Sequence, residues 1–344
     1  MKRLLLVAVI FGLLLAACAP AGSTPTVAPT PAAPGSSEPP PTDPVLAPEN
    51  VNVSIGTASL GGNFFAMGAA IAEVIVAETG YLAVAQATGG SVANVDDVHN
   101  GVLDVGISQG SAVSAAWNGL DHFEGSPITD IRTLAHWNAT PIHILVRRSL
   151  NVSDITELGS SGARIEAMNP GDGIELSTRS ILASVGKTFS DVRIEYSGNR
   201  VQSASRFHTG GVDAIFDGTG IGAAWMVDVI GNGNDFELIS LTDEQIDAII
   251  TEQPDMKRMV IPAGTYNGQT EDVVTVGNWT VLYAHESMQD EVAYNITRAI
   301  HENQEALTQA HNFFADLAPE NILDAIAPIH PGAERFFREI GVLP

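Results

Sequence analysis

A chain of 344 residues with 40 acidic and 16 basic side chains carries a formal charge of −24, which sets it against nucleic acid and against anionic lipid surfaces. Its single cysteine, Cys18, excludes an internal disulfide and a cysteine-based zinc site. The length suffices for two lobes of ordinary domain size.

Met1-Lys2-Arg3 is a short basic start, and Leu4 to Leu15 is an apolar run too short to span a bilayer comfortably. Leu15-Ala16-Ala17-Cys18 follows at once. Small residues before a cysteine read as a bacterial lipobox, so residues 1–17 are expected to be a lipoprotein signal peptide and Cys18 the lipidation site. Residues 18–48 are rich in Pro, Ala, Ser and Thr and have no apolar periodicity. They read as a stiffened tether.

Val51 to Ile55 alternates and predicts a strand. Phe64 to Glu78 has the apolar spacing of a helix, and Leu82 to Ala87 reads as a second strand. Ser91 is the expected N-cap of the next helix. A strand over 102–107 and a helix over 111–117 complete a βαβαβα series, the pattern of a parallel sheet with crossover helices. Two strands are expected either side of Pro141, over 131–137 and 142–146. A second α/β series begins at Arg164, with helices over 174–185, 200–208 and 221–230 and strands over 192–196, 212–217 and 236–241. Thr242 and Gln245 predict a capping box for a helix ending near Ile250. Residues 273–284 form a long apolar run of one or two strands, and the remainder is mostly helical over 291–303 and 333–341.

Three glycine-rich turns fall where a strand gives way to a helix: Gly56 to Phe65, Thr88 to Ser91 and Asn169 to Gly173. Such a turn aims the free N–H groups of the next helix outward, where they and the helix dipole favour an anion. In open α/β sheets ligands bind beyond the carboxyl ends of strands. The candidate ligand-binding residues are therefore Thr57, Gly62, Asn63, Phe64 and Phe65 in the first turn, and Thr88, Gly89 and Ser91 in the second. Gln109 and Ser111 follow the third strand, and Gly171, Asp172 and Gly173 form the third turn. An acid such as Asp172 opposes an anionic ligand unless it binds an amino group. Arg147, Arg179 and Arg200 are candidate counter-charges for a carboxylate.

Catalytic signatures are missing. There is no GxGxxG or P-loop and no HExxH among the nine histidines, and nothing in the sequence points to a Ser/His/Asp triad, so no cofactor, metal site or catalytic residue is expected.

Six segments in order resemble the TAXI-type solute receptors of tripartite ATP-independent periplasmic (TRAP) transporters. They are Ile55-Gly56-Thr57 with Gly61 to Ala72, Thr88-Gly89-Gly90-Ser91-Val92-Ala93-Asn94, Gly101 to Gln109, Gly211 to Phe216, Ile261 to Tyr266, and His330 to Gly341. The resemblance implies an α/β, type II periplasmic-binding fold with two lobes, a hinge and a ligand cleft between them. Residues 49–142 and 275–344 would form lobe 1, and residues 143–274 lobe 2. It implies no catalysis, a small organic acid as ligand (glutamate-like, dicarboxylate or keto acid), and a TRAP permease as partner. Phe64-Phe65 stands where the family usually has tyrosine, and Asp172 where it usually has serine. An exported protein, lipid-anchored at the bacterial cell envelope, follows from the lipobox. The alternative is a receptor for an ATP-driven transporter, or a sensor, on the same fold.

Overall fold

The computed structural model describes Ala47 and residues 50–60, 62–231 and 235–344, with the side chains of Asn138 and Ala139 excepted. The expected signal peptide, Cys18 and nearly all of the expected tether lie outside the described residues.

The first α/β series comprises β1 (Asn52–Gly56), α1 (Asn63–Thr79), β2 (Leu82–Gln86), α2 (Ser91–His99), β3 (Val105–Gln109) and α3 (Gly110–Asn118). β2 and β3 flank β1, both parallel to it. Helix α1 buries Met67, Ile71 and Ile75, spaced four apart on one face. It stops at Gly80, whose φ of 72° is left-handed and whose N–H returns to the Val76 carbonyl.

Strand β4 (Ile131–Arg147) runs unbroken where two strands were expected. Pro141 is tolerated because the strand changes partners there. Its first part pairs with β10 (Val273–His285) as far as Pro141, and from Ile142 it pairs with β7 (Ala214–Gly218). A residue without an N–H does least damage at such a handover.

The second series runs through α4 (Leu158–Ser161), β5 (Arg164–Glu166), α5 (Gly173–Ala183), β6 (Arg193–Glu195), α6 (Arg200–His208), β7, α7 (Ala224–Ile230), β8 (Phe236–Leu238) and α8 (Asp243–Glu252). Strand β5 lies between β6 and β7, parallel to both. The capping box of α8 forms as expected, with the Gln245 N–H on Thr242 Oγ1 at 3.2 Å and the Thr242 N–H on Gln245 Oε1 at 2.9 Å. Strand β9 (Met256–Ile261), which the pattern did not predict, gains its partner only from β10. The chain ends in α9 (Asp290–Glu302), α10 (Gln304–Ala310) and α11 (Pro331–Glu339).

The strands form one mixed sheet in the order β2-β1-β3-β10-β4-β7-β5-β6, with β9 on β10 and β8 on β4. Each half has a parallel heart, and the long strands β4 and β10 pass from one half to the other. Separate apolar cores lie on either side of this crossing. The first joins Ile55, Met67 and Trp137 to Ile296 and Phe337 of the last helices. The second joins Ile144, Ile165, Phe216 and Ile246.

Candidate functional site

The glycine turns of the two halves meet. The Val92 N–H at the start of α2 donates to the Gly171 carbonyl at 3.1 Å. Gly90 faces Asp172 so closely that a Cβ there would sit 3.2 Å from Asp172 Oδ2, and its φ of +109° also demands glycine. The first turn faces the start of α6, where Arg200 Nη1 lies 3.8 Å from the position a Gly62 Cβ would take.

Between them is a cavity of about 40 Å³. The first half contributes Ala58, Ser59, Gly62, Asn63, Phe64, Gly90, Ser91 and Gln109 to its wall. Met168, Asp172, Ile174, Arg200 and Gly218 come from the second, Thr140 and Thr280 from the crossing strands, and Phe313 from the C-terminal region.

Of the residues singled out from sequence, Gly62, Asn63, Phe64, Ser91, Gln109 and Asp172 stand in this wall. The others stand behind it or beside it. Thr57 is fully buried, and its hydroxyl donates to the Gln86 carbonyl at 2.6 Å, tying β1 to β2. The Thr88 hydroxyl holds Asn94 Oδ1 at 2.6 Å, and Gly89 packs beneath Ala93. Ser111 is engaged by Asn278, through its N–H at 3.2 Å and its hydroxyl at 3.2 Å. Gly171, with φ +80°, shapes the third turn, and Gly173 leaves room for the Gln109 amide. Phe65 is partly buried on α1, outside the wall. Ser91 is not the N-cap of α2. Gly90 holds that position, and Ser91 Oγ instead accepts the Gln109 N–H at 3.1 Å. Thr140, Met168, Gly218, Thr280 and Phe313 carried no local signal. Sheet pairing and chain return alone bring them here.

Arg200 is the arginine of the three that reaches the cavity. Arg147 bonds the Phe207 carbonyl and lies over the Phe207 and Phe236 rings, and Arg179 pairs with Glu175 at 2.8 Å. Arg200 grips buried Asp217 with two bonds, Nη2 to Oδ1 at 2.9 Å and Nε to Oδ2 at 3.2 Å, and it lies over the Trp225 ring. Its Nη1 has no partner among the described residues, and it is the group nearest the first turn.

Several wall residues keep unused hydrogen-bonding capacity. Gln109 is 7% exposed. Its Oε1 is engaged by Ser177 and Asn278, each at 3.3 Å, whereas its Nε2 has no acceptor among the described residues. Thr140 (8% exposed) and Thr280 (2% exposed) are in the same position, with no bond to either hydroxyl among the described residues. These three groups open onto the cavity, and a cluster of polar groups without protein partners around it marks a place for a polar guest. Helix α1 adds an N-terminus that no side chain caps.

Two carboxyls near the cavity are perturbed. Burial pushes Asp172 up to about 6, partly offset by the Ile174 N–H on its Oδ1 at 2.9 Å and by Arg200. Burial, followed by the nearby Asp217 charge, pushes Glu166 up to about 7. Among the described residues no group of three or more His, Cys, Asp or Glu is placed to hold a metal ion, and no helix is long and apolar enough to cross a membrane.

Two α/β halves with a polar cavity between strand tips, joined by crossing strands, define the architecture of the periplasmic binding proteins. MatC from Rhodopseudomonas palustris, solved with bound malate, is 14% identical and superposes with a TM-score of 0.56 over 85% of this chain and 97% of its own. A protein from Bordetella bronchiseptica RB50 gives 15% identity and a TM-score of 0.55 over 84% and 98%. PhnD1 from Prochlorococcus marinus MIT 9301, solved with methylphosphonate, gives 11% and 0.52 over 85% and 99%. Residues 55–341 match the NMT1-like family, and the chain belongs to that family.

Proposed function

We propose that this chain is an extracytoplasmic receptor that captures a small organic acid between its halves without altering it. Residues 49–142 and 275–344 act as one lobe and residues 143–274 as the other, and β4 and β10 serve as the hinge. The observation that carries this reading is the convergence of unused donors on one cavity: Gln109 Nε2, the hydroxyls of Thr140 and Thr280, Arg200 Nη1 and the uncapped start of α1. Together they suit a carboxylate, and a dicarboxylate is what MatC, a protein of the same fold, was solved with.

A cavity of about 40 Å³ holds roughly three waters. A larger acid therefore enters when the halves part and is sealed in when they close. A ligand that touches both halves favours the closed form through its differential affinity, and exclusion of water strengthens each bond. The closed surface is what a TRAP-type permease would recognise in a TAXI-type receptor. The lipid on Cys18 would hold the receptor at the cell envelope, at the end of the tether.

A thermal-shift screen of organic acids on the purified chain tests the reading. A true ligand at about 100 times its Kd adds roughly 2.7 kcal/mol. Thr280→Val, close to isosteric, weakens that ligand by about tenfold, the worth of one lost hydrogen bond in a closed site. A panel with no shift, or a Thr280→Val protein that binds as tightly as the parent, overturns the assignment.

A further inference from the structure

Asp172 is the one cavity-lining carboxylate, and it stands free. Its Oδ1 caps α5 through the Ile174 N–H at 2.9 Å, but its Oδ2 has no partner among the described residues and points to the space beside Gly90. Arg200, the one cation in the wall, offsets it only in part, because two of the three guanidinium nitrogens are committed to Asp217, itself fully buried. The Arg200–Asp217 pair sums to zero, which leaves the cavity with the negative charge of Asp172. In the same wall, Gln109 Nε2 and Arg200 Nη1 offer donors with no acceptor among the described residues. Gln109 is more than nine-tenths buried and lines the same cavity, so its free amide is an independent sign of a guest with an oxygen acceptor.

A doubly charged anion is served by these donors and repelled by Asp172. A molecule with a carboxylate at one end and an ammonium close by fits both. We infer that Asp172 is the specificity-determining residue of the cleft and selects a ligand bearing an ammonium group beside its carboxylate, an amino acid in preference to the corresponding keto or hydroxy acid. This rests on the reading of the cleft as an organic-acid site and narrows it. Asp172 receives the ammonium on Oδ2, while Gln109 and Arg200 hold the carboxylate. The ammonium also relieves the charge that burial opposes at Asp172.

Calorimetric titration of the full chain with matched pairs tests this: L-alanine against pyruvate, L-aspartate against oxaloacetate, and L-glutamate against 2-oxoglutarate. Asp172→Asn keeps the cap of α5, since asparagine serves an N-cap as well as aspartate. Asp172→Ser is the second variant, and melting curves confirm that each is folded. The expected result is one pair in which the amino acid binds at least about tenfold tighter, with that ratio falling towards one in both folded variants. A keto acid that binds as tightly as its amino partner, or a preference that survives both substitutions, overturns the role of Asp172 and leaves the organic-acid reading standing. Failure of all six probes to bind removes both.

Discussion

Asp255 shows how one buried group writes itself into the stability of the chain. It is 4% exposed, and neither carboxylate oxygen has a hydrogen-bond partner among the described residues. Burial, only partly offset by the nearby Ser114 hydroxyl and its own N–H, pushes it up to about 6 from an ordinary value of 3.8. The sign follows from which state binds the proton more tightly. Below about pH 4 the group is neutral in both folded and unfolded chains and costs nothing. As pH rises through 6 the unfolded chain ionises first, so the folded state loses up to about 3 kcal/mol. The stability of Asp255→Asn relative to the parent should therefore grow by roughly that amount between pH 4 and pH 7, as measured by urea unfolding at each pH. A difference that stays flat with pH would mean the carboxyl finds a partner in solution. His143 illustrates the opposite arrangement. It is fully buried and held neutral, its pKa lowered to about 4 by burial. Its Nε2 accepts the Tyr266 hydroxyl at 2.8 Å and its Nδ1–H meets the Pro141 carbonyl at 3.2 Å, so burial costs it no hydrogen bond.

At the scale of elements, β10 is the strand on which the architecture turns. Asn278, 1% exposed, donates to Ser177 Oγ at 2.6 Å in the second half, while its Oδ1 accepts the Ser111 N–H at the start of α3 in the first. The same amide reaches Gln109, and so it sets the angle at which that side chain enters the cavity. Asn278→Ala strands the buried Ser111 N–H and hydroxyl, while Ser177 keeps its bond to the Gly173 carbonyl. Chemical denaturation should show a loss of about 2–3 kcal/mol, with weaker ligand binding alongside it. The C-terminal helices dock more simply. Gly332 in α11 presses on the backbone of α9, where an added Cβ would overlap the Asp290 carbonyl oxygen and approach the Tyr294 nitrogen to 2.8 Å. Backbone atoms cannot step aside as a flexible side chain can. Gly332→Ala should cost about 1–3 kcal/mol and expose α11 amides to early hydrogen exchange. An alanine variant as stable as the parent would show that α11 slides freely on α9.

The whole molecule carries a charge of −24, with a sequence pI near 4.5. Its surface ion pairs, such as Arg258 with Asp243, are exposed on both sides and contribute little. Self-repulsion therefore outweighs them, and added salt screens it, because the Debye length falls from about 10 Å at 0.1 M to about 3 Å at 1 M. The melting temperature should rise as NaCl is increased from 20 mM to 0.5 M. A fall would show that attractive pairs dominate at neutral pH. The same excess of acid gives the cleft its bias, since any anion approaching it meets a like-charged surface. The donors inside must overcome that field, which favours a ligand that brings its own positive charge.

Local chemistry was enough to specify the elements and the α/β class. The alternation of Val51 to Ile55, the apolar stripe of α1 and the Thr242–Gln245 box act over a few residues, and each appears close to where its pattern put it. The glycine turns were legible for the same reason, and with them Gly62, Asn63, Phe64, Ser91, Gln109 and Asp172. Pattern could not say which polar side chains at those turns face inward. Thr57 and Thr88 have the same chemistry as Thr140 and Thr280, yet the first pair spends its hydroxyls on the backbone of β2 and on Asn94 and the second pair keeps them free. That distinction depends on where β4 and β10 cross, a matter of pairing between residues more than a hundred positions apart. β9 and the unbroken course of β4 through Pro141 were decided in the same way, because a strand exists only when a partner supplies its hydrogen bonds. Short-range propensity thus determined the parts of this protein. The long-range hydrogen bonding of two strands decided which of those parts face the cavity.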